Sequence, residues 1–209
     1  MNKVIYCFWT GDNPMSEARL KGLESMKNTT QMKIVLVTPS NLSSYVLEDH
    51  PLHPAYEYLN PTHRSDYLCS YFMNFYGGGY SDIKTATSSW LDAFNKLDIS
   101  DNYILGYKEI GPRGVAYVRN DLYKTLVSNW EKLVGCGCFI CKPHTPFTEE
   151  WYAQTAERMN VRQDELIKRG DMLEWTELKG HIFHPLCYKY ADKVMQDNSV
   201  IFNLSVPYR

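Results

Sequence analysis

The segment Tyr76-Gly77-Gly78-Gly79-Tyr80-Ser81-Asp82-Ile83-Lys84 sets a carboxylate on a short strand directly behind three glycines. That order suits a bound phosphate and metal: glycine backbone can approach a bulky group closely, and a carboxylate can hold a cation beside it. Upstream, Leu68, Tyr71, Phe72 and Phe75 fall at the spacing of one helical face. This predicts a helix over 63–76 and a strand over 79–84. Gly77 would end the helix, because glycine takes positive φ there without a Cβ penalty. By itself, a triple glycine reads equally well as a helix stop before a buried strand. Four further sets of residues are candidates for chemistry: Trp9-Thr10-Gly11-Asp12, Thr38-Pro39-Ser40-Asn41, Asp66 near the start of the helix, and the pair His181 and His184.

The elements that must position these residues alternate in type. Val4–Phe8 and Met32–Thr38 are short apolar runs that read as interior strands. Between them Pro14–Met26 places Leu20, Leu23 and Met26 on one side behind a proline and a serine, which are helix-start residues. Strand, helix and strand over this length predict a βαβ unit with a right-handed crossover, and ligands of such sheets gather at the carboxyl ends of the strands. Those ends are the segments at Trp9 and Thr38. Farther along, the pattern predicts a short helix over 87–94 and strands over 102–107 and 115–118. A helix over 121–134, a strand over 138–141, a helix over 149–159 and a strand within 178–187 follow. The alternation predicts one α/β domain over 1–209, with a central mixed, mostly parallel sheet flanked by helices.

With 209 residues, 44% apolar and 14% aromatic, the chain can bury a substantial core. Its net charge of −2 is spread along the chain, so no basic face recommends nucleic acid and no basic amphipathic segment recommends a membrane. Any phosphate is therefore held locally. The N-terminal apolar run is too short for a signal peptide, and no later run approaches a spanning helix, so a cytoplasmic protein is expected. Six cysteines, at 7, 69, 136, 138, 141 and 187, show no evenly spaced framework and read as reduced thiols. The C-x-x-C spacing of Cys138 and Cys141 beside Cys136 raises a zinc reading, with Cys187 or His144 completing the ligands. Against it stands the lack of a second, separated ligand pair.

Trp9-Thr10-Gly11 after a first strand, Arg64-Ser65-Asp66 opening a helix, and Tyr76-Gly77-Gly78-Gly79-Tyr80-Ser81-Asp82 resemble the GT-A glycosyltransferases in order and spacing. The likeness is to the sugar-binding region shared by capsular-polysaccharide and mannosyl-type transferases and, more remotely, by glucosylating toxins. Cys141-Lys142-Pro143-His144-Thr145-Pro146-Phe147 resembles the Lys-Pro-x-x-Pro-Phe segment of that family. The chain as a whole resembles the N-terminal domain of longer, virus-encoded capsid-glycan transferases. This implies a monomer or one part of a multidomain chain, in the host cytoplasm if viral.

The resemblance implies a GT-A fold with a Rossmann-like nucleotide half, a UDP-sugar donor and a glycan acceptor. It also implies roles. Trp9, Thr10 and Gly11 form the uracil turn, with Thr38 and Arg64 nearby, and Asp66 accepts hydrogen bonds from donor-sugar hydroxyls or fixes Arg64. Tyr80, Ser81 and Asp82 meet the nucleotide and the metal, which would be Mn²⁺ with Mg²⁺ as the alternative. Two departures stand out. Lys84 occupies the place of the second DXD carboxylate, and Cys69 stands where an arginine often follows the helix aspartate. Lys84 could contact phosphate, pair with Asp82 or lie exposed on its strand, and the metal's other protein ligand would be His184 or His181. Asp66, Asp82 and Lys84 are the expected catalytic residues, with leaving-group stabilisation shared by metal, Lys84 and glycine-loop amides. The missing carboxylate also admits a catalytically silent nucleotide-sugar or glycan-binding module.

Overall fold

A computed structural model describes residues 1–119 and 121–205. Strand β1 (Val4–Phe8) leads through helix α1 (Glu17–Thr29) into β2 (Lys33–Val37), which pairs with β1 in parallel from Val4 opposite Lys33 to Phe8 opposite Val37. This is the expected βαβ unit. Ser16 caps α1 by accepting from Arg19 N–H at 3.3 Å. Gly22, Leu23 and Met26 are its buried side, whereas Leu20, expected on that side, is 54% exposed. The bare Gly22 lets the helix rest on the backbone of Lys84, where a Cβ would come within 3.1 Å.

Helix α2 (Pro61–Phe75) starts two residues before the expected position. Asn60 Oδ1 accepts from His63 N–H at 3.0 Å, and Pro61 sits in the first turn, where no N–H is needed. Strand β3 (Gly78–Ser81) follows, parallel to β1 and antiparallel to β5 (Val134–Cys141). With β4 (Ile104–Lys108) and β6 (Val194–Gln196), these strands make one six-stranded sheet in the order β2-β1-β3-β5-β4-β6. Helices α2, α5 (Pro146–Arg169) and α6 (Gly180–Lys189) cover one face over Phe8, Phe72, Tyr80, Phe139, Trp151 and Phe183. On the other face α1 and α3 (Leu91–Ile99) cover Ile5, Cys7, Trp90 and Phe94. The architecture is α/β with the expected mixed sheet.

Several boundaries differ from expectation. Val115–Val118 is a loop, buried except at Tyr117, and the helix expected over 121–134 is α4 (Leu122–Ser128) followed by a 3₁₀ turn, after which β5 begins. β3 stops at Ser81, so Lys84 lies beyond the strand. The largest correction is at 178–187, expected as a strand and found as helix α6. Ile182 with Leu186 and Phe183 with Cys187 are buried pairs four residues apart, a helical spacing masked by the proline and the β-forming residues. Pro185 lies inside that helix and cannot donate to the His181 carbonyl, which accepts from Arg158 Nη2 at 3.2 Å instead.

The three glycines also have a different use from the one expected. Gly77 (φ +60°) and Gly78 (φ +98°) adopt backbone that favours glycine, and a Cβ on Gly77 would lie 2.4 Å from Pro143 Cδ. On Gly79 it would press on Ile5 and Trp90 at 3.1 Å. What approaches these glycines closely is the protein's own core, and none of them lines the cleft described next.

Candidate functional site

A cleft of about 540 Å³ opens at the carboxyl ends of β1 and β3. The chain leaves β1 for β2 on one side while β3 flanks it on the other, the switch point at which open α/β sheets bind ligands. Trp9, Thr10 and Gly11 come from the end of β1, and Asp66 from α2. Tyr80, Ser81 and Asp82 come from β3 and its exit, and Lys179 and His184 from the start of α6. Thr10 Oγ1 donates to the Pro61 carbonyl at 2.5 Å, tying the β1 turn to the start of α2. Trp9 Nε1 donates to the Asn13 carbonyl at 2.8 Å, which fixes the indole at the rim.

Asp66 is 7% exposed. Burial pushes its carboxyl up to about 6, against the pull of the Lys179 ammonium and His63. The Lys179 ammonium lies 3.7 Å from Asp66 Oδ1 and 4.0 Å from the centroid of the Tyr80 ring. Burial works against its charge, but Cys69 and the carboxylates of Asp66 and Asp82 outweigh it, so Lys179 is held protonated. It lies beside Cys69, the position where the family resemblance leads one to expect an arginine. A cation reaches this spot from another part of the chain. Nothing in the sequence around Leu178-Lys179-Gly180 signals that.

Asp82 is held from two sides. Its Oδ1 accepts from the Tyr80 hydroxyl at 2.8 Å, its Oδ2 faces Lys84 Nζ at 3.2 Å, and its side chain remains 31% exposed. Its backbone N–H donates to the Gly137 carbonyl at 2.8 Å, and Ser81 Oγ donates to the Asp82 carbonyl at 2.8 Å. Lys84, one of whose expected roles was phosphate contact, does not line the cleft: it pairs with Asp82 and packs 3.7 Å from the centroid of the Phe202 ring.

The two histidines separate. His184 lines the cleft, whereas His181 lies in a second depression with Arg158 and Glu174, its Nε2 3.9 Å from Glu174 Oε2. At His184, 1% exposed, Nδ1 accepts from the Ala116 N–H at 2.9 Å, and Nε2 faces Glu109 Oε2 at 3.3 Å and Cys136 Sγ at 3.4 Å. A ring nitrogen that accepts from a backbone N–H carries no proton, so the neutral tautomer with Nε2–H donating fits these contacts. Both nitrogens are therefore engaged within the protein. Among the described residues no group of three His, Cys, Asp or Glu side chains could hold a metal, and the cysteines of β5 form no such cluster. Among the described residues that line the cleft, Asp82 alone offers a partly exposed carboxylate to a cation.

Thr38 and Arg64 lie in an adjoining cavity of about 490 Å³ that shares Thr10 with the main cleft. Arg64 Nη2 donates to the Glu57 carbonyl at 2.5 Å, and its Nε is buried without a partner. Among the described residues, no helix is long and apolar enough to cross a membrane.

No protein-family model matches the chain, and no curated protein matches it in sequence. Among solved structures it is similar to the PaToxG glycosyltransferase, at 12% identity and a TM-score of 0.50, over 90% of this chain and 69% of that one. It is similar also to the WbbM bifunctional glycosyltransferase in its apo form, at 12% identity and a TM-score of 0.52, over 93% of this chain and 38% of that one. The chain thus has a fold shared with glycosyltransferases, and it spans well under half of the second of these chains.

Proposed function

We propose that the chain is a GT-A glycosyltransferase that moves a hexose from a UDP-sugar to a glycan hydroxyl. One observation carries this reading: two carboxylates, Asp66 and Asp82, and the buried ammonium of Lys179 line one cleft at the switch point of a sheet shared with glycosyltransferases. The indole of Trp9 offers a face for uracil. The adjoining cavity, lined by Thr38 and Arg64, takes the rest of the nucleoside.

Departure of UDP places growing negative charge on the diphosphate, and Lys179 neutralises it from a site largely shielded from water. Asp66, ionised above a pH of about 6, accepts from sugar hydroxyls and holds the donor's ring in place. Asp82 fits a Mn²⁺ or Mg²⁺ ion that arrives with the diphosphate, since such ions commonly use one or two carboxylates, substrate phosphates and water. When bound, the ion adds Lewis-acid neutralisation of the phosphate oxygens. His184 does not fit as its second ligand, because both ring nitrogens are engaged. Lys84 serves by holding Asp82.

The test is to incubate the protein with UDP-glucose, UDP-galactose and UDP-N-acetylglucosamine, Mn²⁺ and simple glycosides, and to measure released UDP. Release above the protein-free rate is expected, with loss in Asp82→Ala; full activity in that variant would sink the assignment. UDP binding without turnover would favour the silent binding module instead, the reading that Lys84 in the place of a carboxylate supports.

A further inference from the structure

The segment between α5 and α6 is pinned at one end and bare at the other. Asp171 is pinned: its Oδ2 lies 2.6 Å from His63 Nδ1 and accepts from the Asn60 N–H at 2.7 Å. His63 Nε2 in turn reaches the Glu174 carbonyl at 3.1 Å. Each nitrogen of His63 thus faces an acceptor, with the Asn60 side-chain amide also 3.1 Å from Nδ1, in a pair whose side chains are only 3% and 5% exposed. This latch fixes the segment against the first turn of α2, the helix that carries Asp66.

Four residues on from Asp171 stands Trp175, which lines the main cleft and yet is 64% exposed. An indole so held contributes little to the core. It leaves a large apolar face in water at the mouth of a cleft, on a backbone that is fixed in place. The same cleft is lined by Thr62, Ser65 and Thr176, none of whose hydroxyls makes a side-chain hydrogen bond among the described residues. A flat aromatic face in one cleft with uncommitted hydroxyls matches the chemistry of a pyranose. The sugar's C–H face packs on the indole and its hydroxyls find hydrogen-bond partners.

We infer that Trp175, with Thr62, Ser65 and Thr176, forms the acceptor subsite, binding a neutral pyranose by stacking at the mouth of the cleft. The inference rests on the donor reading above for the word acceptor. The stacking site itself does not depend on that reading. Trp9, on the β1 turn, serves the donor, so the two tryptophans divide the cleft between its two substrates.

Saturation-transfer NMR tests this, with methyl glycosides of glucose, galactose, mannose and rhamnose, in the presence of UDP and Mn²⁺. Wild-type protein, Trp175→Ala and Trp175→Phe are compared, and UDP signals are read in the same samples. Saturation transfer to at least one glycoside is expected in the wild type, falling at least fivefold in Trp175→Ala and staying within about twofold in Trp175→Phe, with UDP signals equal in all three. An unchanged glycoside signal in Trp175→Ala overturns the inference, as does the absence of any glycoside signal from wild-type protein. A missing UDP signal with a Trp175-dependent glycoside signal would overturn the donor reading and leave the stacking site standing.

Discussion

Replacing Lys179 with methionine keeps the length of the aliphatic stem and removes the charge that lies 4.0 Å from the centroid of the Tyr80 ring and 3.7 Å from Asp66. At that distance two unit charges interact by about 1 kcal/mol in water and about 4 kcal/mol at an effective dielectric of about 20. At about 1.4 kcal/mol per pKa unit, losing the ammonium raises the Asp66 carboxyl by roughly one to three units. It starts at about 6 in the intact protein, so in Lys179→Met it is largely protonated at neutral pH. Two readouts follow. UDP-sugar turnover in the wild type should rise with pH through about 6 as Asp66 ionises, and in the variant that rise should move up by at least one unit. Stability should follow the same carboxyl. Its folded value lies above the ordinary 3.8, so its contribution is fully present below pH about 4 and is lost as the pH rises through about 6. In Lys179→Met the loss continues to higher pH, so the variant should be destabilised more at pH 8 than at pH 5 in urea unfolding. Turnover and stability profiles that superimpose on those of the wild type, apart from a uniform scale factor, would refute the coupling of Lys179 to Asp66.

Asp171→Ala removes the acceptor for His63 Nδ1 and for the Asn60 and Leu173 N–H groups and should cost at least about 1–3 kcal/mol in thermal or urea unfolding, with faster proteolytic cleavage within 170–176; unchanged proteolysis would show that the latch does not hold this segment. His184→Ala leaves the Glu109 carboxylate and the Ala116 N–H without this partner and should cost about 1–3 kcal/mol, while the folded variant keeps its Mn²⁺-dependent UDP affinity. Lost Mn²⁺ dependence at wild-type stability would make His184 a metal ligand after all. Gly77→Ala forces a side chain into positive φ with a Cβ 2.4 Å from Pro143 Cδ and should lower stability by at least about 1 kcal/mol, read as a fall in Tm; a neutral result would show that the turn can shift.

The fold was legible where one rule governed a segment. The apolar runs at Val4–Phe8 and Lys33–Val37, with the capped helix between them, specify a parallel βαβ unit through burial and crossover handedness alone. It failed where two rules competed. At 181–187 the aromatic and β-branched residues and the proline argue for a strand, and the buried pairs 182 with 186 and 183 with 187 decide for a helix only because Arg158 satisfies the carbonyl that the proline leaves open. The site divides the same way. Trp9, Asp66 and Asp82 sit at the ends of elements whose pattern could be read, and they meet in one cleft. Lys179 and Trp175 reach it from a segment with no local signature, because a cation or an indole gains its meaning from neighbours such as Asp66, more than a hundred residues earlier. The glycines were a misleading cue: the same lack of a Cβ that would admit a phosphate admits Pro143, Ile5 and Trp90 instead.

Calorimetric titration of UDP into the wild type and Asp82→Ala, each with and without Mn²⁺, tests the donor site most directly. The wild type should bind UDP, at least tenfold more tightly with the ion present, and the variant should lose that dependence. Equal affinity for UDP in both proteins under both conditions would contradict a donor site built on Asp82.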